Sequence, residues 1–337
     1  MQAIVLREVG PSEGLRIETV PDPIPGPGEV VVRLLASALN HRDVWIRKGQ
    51  YAGITFPAIL GSDGCGVVEE IGEGVEPSLV GRRVVIDPGL EWGDDPRSQG
   101  PKFRVLGMPD DGTYAEKIRI PAGNVHDAPA NLSDYEAAAI PLAALTAYRA
   151  LVTRARLALG ETVLITGIGG GVSAFGLQIA KALGARVIVA SRHDAKLAAA
   201  AALGADAGVN VTDPNWPKLA VKLTGGEGPD VVLDSVGGET FAKALAAVRR
   251  GGRIVTYGAT SGPVEKFELT RLFWKQVDIL GSTMGTPSEF AAMLAMVRQG
   301  AIQPTVARVF ALSEASAAHR YLEESNQFGK VVLDPQA

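Results

Sequence analysis

Val163-Leu-Ile-Thr-Gly-Ile-Gly-Gly-Gly-Val-Ser-Ala-Phe-Gly176 joins an apolar run of strand type to a helical pattern through four glycines. The helical pattern continues to Leu183 and stops at Gly184. Glycines in such a turn let another group approach the backbone closely, and the start of the helix presents unpaired N–H groups and the positive end of its dipole. Spaced as Gly169-x-Gly171-x-x-Ala174, the turn fits the G-x-G-x-x-G/A form that cradles a pyrophosphate. Gly-rich turns also serve plain strand–helix connections. A second strand pattern, Arg186-Val-Ile-Val-Ala190, follows at the distance a strand–helix–strand crossover needs, and this favours a dinucleotide site.

Outward from this unit, strands and helices alternate. Strand patterns lie at Thr162–Thr166, Arg186–Ala190, Gly208–Val211, Asp230–Asp234, Arg253–Tyr257 and Asp278–Gly281, with helical patterns between them. Upstream, Ser133-x-x-Glu136 reads as a capping box and Leu142–Val152 as a continuing helix. The alternation predicts an α/β fold with a doubly wound, six-stranded parallel sheet. The first third reads instead as β-rich, with strands at Ala3–Arg7, Leu15–Thr19, Glu29–Ala38, Gly61–Ile71, Gly81–Ile86 and Tyr114–Ile120. The tail returns to that style and is expected to pack back onto it. The expected division is residues 1–125 and 285–337 in one domain and 126–284 in the other. The loop 87–111, rich in Gly, Pro and Asp, is long for a structureless connection and is marked as functional or as a relic lobe.

At 337 residues, with 46% hydrophobic and 21% charged residues, the chain has room for two packed cores. A net charge of −4 and the absence of a basic block argue against nucleic-acid or acidic-membrane partners. No apolar run approaches the length of a membrane span, and the N-terminus opens directly into a strand pattern. A single cysteine, Cys65, excludes an intrachain disulfide and a Cys-rich zinc knot. It is read as a small buried filler, and a reducing, cytoplasmic setting is the default expectation.

The residues after the second strand choose between nicotinamide cofactors. An acid there binds the ribose 2′-hydroxyl and repels a 2′-phosphate. This chain has Ser191-Arg192, followed by Lys196, and these suit a phosphate. The expectation is therefore NADPH (NADP+), with Asp194 either capping the helix or adding opposing charge.

An ordered set of motifs resembles one family. The set is Gly61-x-Asp63-Gly64-x-Gly66-Val-Val68, Asp111-Gly-Thr-Tyr-Ala-Glu116, Ala137-Ala-Ala-Ile-Pro-Leu-Ala-Ala-Leu-Thr146-Ala-Tyr148, Gly169-Gly-Gly-Val172, Lys181-Ala-Leu-Gly-Ala185, Asp234-x-Val-Gly237 and Gly251-Gly-Arg-Ile-Val255. It spans nearly the whole chain and resembles the medium-chain dehydrogenase/reductases, which include zinc alcohol dehydrogenases and zinc-free quinone oxidoreductases. The resemblance implies a Rossmann domain beside a β-rich, GroES-like catalytic domain.

The departures from the zinc members carry the functional expectation. By resemblance, the catalytic metal ligands fall where this chain has Asn40, Ser62-Asp63 and Leu142. Zinc takes N, S or carboxylate donors at about 2.0–2.3 Å, and Asn40, Ser62 and Leu142 supply none of these. The loop 87–111, where zinc members carry four structural cysteines, contains none. His41 is a lone neighbouring imidazole and is not read as a ligand. No metal site is expected.

The zinc-free branch implies other roles. Asn40 is expected to donate its amide to an acceptor oxygen, Tyr51 its hydroxyl, and Thr146 to contact nicotinamide or substrate. Plain alternatives are a helix cap for Asn40, a pocket wall for Tyr51 and a bond to its own helix for Thr146. Asp43 is read as a structural partner for Arg42 or a backbone amide. Expected cofactor contacts are Gly169, Gly170, Gly171, Val172 and Ser173 at the turn, Ser191, Arg192 and Lys196 at the adenosine end, and Gly258, Ala259, Thr260, Ser282 and Thr283 at the nicotinamide end. Lys330, in Gly329-Lys330-Val-Val, is read as a phosphate contact or an exposed structural lysine. The sum is an NADPH-dependent, zinc-independent reductase of a small electrophilic acceptor, a quinone or an α,β-unsaturated carbonyl. A homodimer is the usual state of the family. Two other readings stay open, a zinc-type alcohol dehydrogenase with atypical ligands and a non-catalytic NADPH-binding protein.

Overall fold

The computed structural model describes residues 1–337. The chain forms two compact units, Met1–Ala143 with Thr286–Arg298 and Pro304–Ala337, and Ala144–Gly285 with Gln299–Gln303.

The second unit contains a six-stranded parallel sheet. Its strands lie in the order Ala207–Asn210, Arg186–Ser191, Thr162–Ile165, Val231–Asp234, Arg253–Thr256, Asp278–Gly281. In chain order this is 3-2-1-4-5-6, the doubly wound dinucleotide arrangement. The central strands are covered on both faces, which is why they read as unbroken apolar runs rather than alternating ones. Leu164, Ile188, Val232 and Ile254 pack with Trp216, Phe241 and Leu245 in one core. On the helix Gly171–Ala182, a Cβ at Gly176 would lie 2.7 Å from Leu233, so helix and sheet approach more closely than any other residue there permits. The helix Pro141–Tyr148 does not continue to residue 152 as an α-helix. Its extension Arg149–Arg154 widens to π-type turns.

The first unit is built on Glu29–Ala38, which carries strands on both sides. Its sheet runs Val125–Asp127, Arg83–Ile86, Asp63–Ile71, Glu29–Ala38, Lys330–Asp334, Val306–Ala311, and Lys117–Pro121 also pairs with Glu29–Ala38. At Gly66 a Cβ would sit 2.2 Å from the Arg33 carbonyl oxygen, so the close crossing of these two strands requires glycine. The tail strand Lys330–Asp334 pairs antiparallel with the end of Glu29–Ala38, Val332 opposite Ala38. This register sets Lys330 beside the residues that follow Ala38.

Residues 126–143 lie with the first unit rather than with the Rossmann unit, because their side chains and amides bond there. Arg83 Nε donates to Asp134 Oδ1 (2.6 Å), Tyr135 Oη to Asp334 Oδ2 (2.6 Å) and the Leu142 N–H to Asp63 Oδ1 (2.8 Å). Residues 299–303 go to the second unit through the reciprocal amide bonds of Gln178 with the Gln303 backbone. The loop 87–111 is ordered into a small lobe. Gly89–Leu90 pairs with Arg104–Val105, Trp92 packs edge-on against Phe103 at 5.2 Å, and Arg104 bridges Glu91 and Asp110. No helix of the chain is long and apolar enough to cross a membrane.

Asp87, at the root of that lobe, is buried and accepts the Gly89 N–H, and burial pushes its carboxyl up to about 7. Between its unfolded value of about 4 and that value the folded protein holds a proton the unfolded chain lacks, so this group's contribution to stability falls as pH rises through the window. Asp87→Asn is therefore expected to melt several degrees above the wild type near pH 8 and to match it near pH 4. Thermal melts across this range check it.

Candidate active site

In the first unit the helix His41–Arg47 starts at Asn40, whose backbone N–H donates to Asp43 Oδ2 at 2.9 Å. The Asn40 side chain makes two further bonds. Its Nδ2 donates to Asp63 Oδ2 (2.9 Å), and its Oδ1 accepts from Lys330 Nζ (2.7 Å). The same ammonium donates to the Leu39 carbonyl and to Asp63 Oδ2, each at 2.7 Å. Asn40, Asp63 and Lys330 are 8%, 0% and 4% exposed. An ammonium cannot accept and a carboxylate cannot donate, so the amide orientation is dictated by charge. One Asn40 amide N–H remains uncommitted in the cluster.

Asp43 lies behind this group. Its Oδ2 also accepts from Tyr114 Oη (2.9 Å), while its Oδ1 is buried without a partner. Burial raises the Asp43 carboxyl above its ordinary value, and the Arg42 charge pulls the other way. Asp43 is thus a structural acceptor for a backbone amide and a phenol. Arg42 Nη1 donates to Ser62 Oγ and to the Leu106 carbonyl, both at 2.7 Å, and its guanidinium lies 5.1 Å from the Tyr51 ring centroid. Arg42 thereby ties the helix to the lobe 87–111 and stacks the half-buried Tyr51. Two carboxylates, Asp43 and Asp63, are matched by two cations, Arg42 and Lys330.

The donor chemistry does not fit a catalytic zinc. Of the positions that ligate metal in zinc members, Leu142 offers only a backbone N–H, Ser62 is engaged by Arg42, and Asn40 and Asp63 face an ammonium. No group of three or more His, Cys, Asp or Glu side chains in the chain is arranged so that it could hold a metal ion. The lobe 87–111 likewise depends on Arg42 and a packed Trp92–Phe103 pair rather than on cysteine ligands.

In the second unit the glycine turn has the shape for a dinucleotide. Gly169 (φ +126°) faces Lys196, whose Cδ would lie 2.6 Å from a Cβ at that position. A Cβ at Gly167 (φ +63°) would lie 2.7 Å from Val236. Gly170 caps the helix, and Gly171 and Val172 begin it. The Ser173 hydroxyl was expected to add a donor for phosphate. It is turned inward instead, accepting the Gly169 N–H and reaching the Gly167 and Gly170 carbonyls, so it stitches the turn and only the helix start itself faces outward.

At the end of the second strand Ser191 is buried, its Oγ accepting the His193 N–H, and Arg192 is exposed. Lys196 is lowered from its usual range by burial and by the Arg192 charge, so two cations share this corner. Asp194 is taken by Asn210 Nδ2 at 2.6 Å. Ala259 and Thr260 are exposed after the fifth strand, with the Thr260 N–H bonded to the Ser235 carbonyl, and Gly258 lies against the Ser235 backbone. After the sixth strand, the Ser282 hydroxyl is buried without a partner and Thr283 is exposed. Thr146 is buried on the helix Pro141–Tyr148.

Lys330 is the main correction. The expected phosphate contact spends all its ammonium N–H groups on Leu39, Asn40 and Asp63 within the first unit. Its burial also excludes the exposed structural lysine. Thr166 and Asp234 are an unanticipated pair. The hydroxyl donates to Asp234 Oδ1 (2.5 Å), whose other oxygen accepts the Gly237 N–H, fixing the two loops at the topological switch point. The motif Asp234-x-Val-Gly237 was its visible trace.

Residues 26–130 match the family of alcohol dehydrogenase GroES-like domains, and residues 171–299 match the zinc-binding dehydrogenase family. The chain belongs to the medium-chain dehydrogenase/reductase superfamily and is an oxidoreductase of that class. Among individual proteins, it is 37% identical over 95% of its length, and 94% of the relative's, to the zinc-type alcohol dehydrogenase-like protein YogA of Leptosphaeria maculans. It is 31% identical to an acryloyl-coenzyme A reductase of Sulfurisphaera tokodaii, covering 99% of this chain and 100% of that one. A solved structure of an NAD-dependent alcohol dehydrogenase superposes with a TM-score of 0.96 at 44% identity, covering 99% of both chains.

Metal analysis of the purified protein is expected to find far less than one zinc per chain, and prolonged chelator treatment to leave the melting temperature unchanged. One tightly held zinc per chain would contradict the donor-set argument.

Proposed function

We propose that this oxidoreductase uses NADPH to reduce a quinone or an α,β-unsaturated carbonyl, thioesters included, without a metal. The observation that carries the reading is the Asn40–Asp63–Lys330 cluster, which is charge-balanced and hydrogen-bonded with no metal donor to spare. Zinc-type alcohol oxidation depends on a Lewis acid to make an alkoxide. Reducing a conjugated acceptor asks for less, since the developing charge sits on a delocalised oxygen that hydrogen-bond donors can stabilise. The name of the acryloyl-coenzyme A reductase relative supports an acceptor of this kind.

Bound reduced nicotinamide supplies the hydride. The chain's residues do the rest. The glycine turn and the start of the helix Gly171–Ala182 receive the pyrophosphate. Arg192 and Lys196 receive the 2′-phosphate, and their mutual repulsion is relieved by that charge. The free Asn40 N–H and the Tyr51 hydroxyl polarise the acceptor oxygen, Tyr51 also returning a proton, and Thr146 lines the nicotinamide side.

The proposal includes a homodimer. The strand Asp278–Gly281 is an open edge of its sheet. Leu269, Phe273 and Trp274 on the adjoining helix are 64%, 64% and 65% exposed. A two-fold axis beside this edge would pair the strand with its own copy and cover the aromatic patch in one self-complementary interface.

Stopped-flow or steady-state assays with a simple quinone and an enone should show NADPH consumption that chelators do not affect. Chelator-sensitive activity restored by zinc, or alcohol oxidation with NAD alone, would overturn the reading. Arg192→Ala with Lys196→Ala is expected to weaken NADPH binding roughly 10- to 100-fold while leaving NADH within about twofold, as loss of charge-assisted bonds predicts. Phe273→Glu with Trp274→Glu is expected to give a monomer by light scattering.

A further inference from the structure

We propose that Lys330 is the positioning cation of the acceptor site. It fixes the Asn40 amide so that one N–H points at the acceptor oxygen, and it places a permanent positive charge one side chain behind that donor. The inference rests on the functional reading above and assigns to that site a residue outside the cofactor contacts.

Three features carry it. The first is directionality. An asparagine amide is nearly symmetric in shape and can sit either way round. Here the ammonium 2.7 Å from Oδ1 and the carboxylate 2.9 Å from Nδ2 admit only one orientation. With both charges removed, Asn40 would be free to turn its oxygen toward the acceptor, which repels a developing oxyanion. The second is burial. Lysine is almost never this enclosed unless paired, and an apolar trio of similar volume would join the tail strand to the sheet without the desolvation cost. The arrangement therefore specifies geometry rather than mere cohesion. The third is charge. The site lacks a set of donors that could hold a metal, and Lys330 is the only cation bonded to Asn40. Polarisation of Asn40 by the ammonium makes its remaining N–H a stronger donor, since hydrogen bonds in a chain reinforce one another.

A structural role alone would be to hold Lys330–Asp334 against Glu29–Ala38. The two roles separate in variants. Lys330→Met by itself strands the Asp63 carboxylate in the interior and is expected to unfold more easily. Lys330→Met combined with Asp63→Asn removes both charges, and its melting temperature is expected to return close to the wild-type value. The proposal requires that this stable double variant keep its NADPH affinity by fluorescence titration yet lose roughly 100-fold in kcat, the scale of a lost oxyanion donor.

A second readout needs no turnover. 4-Nitrophenol titrated into the protein with NADP+ present reports whether the site prefers the yellow phenolate. The wild type is expected to lower the apparent pKa of the bound probe by about one unit, and the double variant to leave it unshifted. A stable double variant with wild-type kcat and an unchanged probe shift overturns the inference, as does a wild type that does not bind the phenolate. A Lys330-dependent probe shift in a protein that reduces neither quinone nor enone upholds the inference and overturns the functional reading.

Discussion

The ion pair of Lys330 with Asp63, 2.7 Å long and closed from solvent, is the contact on which the polar cluster of the first unit depends. Once buried, each charge depends on the other, and stripping one partner from such a pair costs about 3–5 kcal/mol. The pair forms only if the tail strand adds to Glu29–Ala38 in the observed register, and only if Asp63 enters its strand through Gly61 and Gly64. A Cβ at Gly61 would lie 2.4 Å from the Tyr114 ring. Tyr114 is held by Asp43, and Asp43 by the start of the helix that Asn40 begins. The glycines, the helix cap and the strand register are thus requirements of one polar cluster.

The second unit obeys a different constraint, one of backbone shape. Its central strands are buried on both faces, so they need little beyond apolar bulk, and the special residues concentrate at the carboxyl ends of the strands. Gly167 and Gly169 take positive φ where the chain turns into the helix, Ser173 closes that turn from below, and Thr166 with Asp234 fixes the neighbouring loop. The residues that make the turn rigid are therefore distinct from those that face outward.

How much of this was readable in the sequence follows from the range of each interaction. The strand–turn–helix at 163–176 is local, and the parallel sheet followed from its repetition along the chain. Asn40, Ser62 and Leu142 were legible as losses, because a missing donor needs no geometry to be recognised. Lys330 was not placed correctly, since its partners lie 267 to 291 residues away and nothing in its neighbours announces them. Ser173 was misread because a hydroxyl at a helix start looks the same whether it faces in or out. The segment 87–111 was marked by its length as functional or as a relic lobe, but the contacts that order it were not legible, because they join residues of no periodic spacing and include Arg42, which lies far outside it. Residues 126–143 joined the other unit through isolated side-chain bonds that leave no periodic trace.

The distance between Asn40 and Lys330 along the chain, 290 residues, has a consequence for biogenesis. During synthesis the first unit's leading strands emerge long before the lysine that neutralises Asp63. Until then a carboxylate sits unneutralised at the end of a nascent apolar strand, and the sheet cannot close over it without cost. The first unit should stay open and chaperone-accessible while the intervening Rossmann unit, made of contiguous sequence, folds ahead of it. Closure of the first unit would then wait on the arrival of the strand Lys330–Asp334, and a chain lacking that strand would leave Asp63 without its cation.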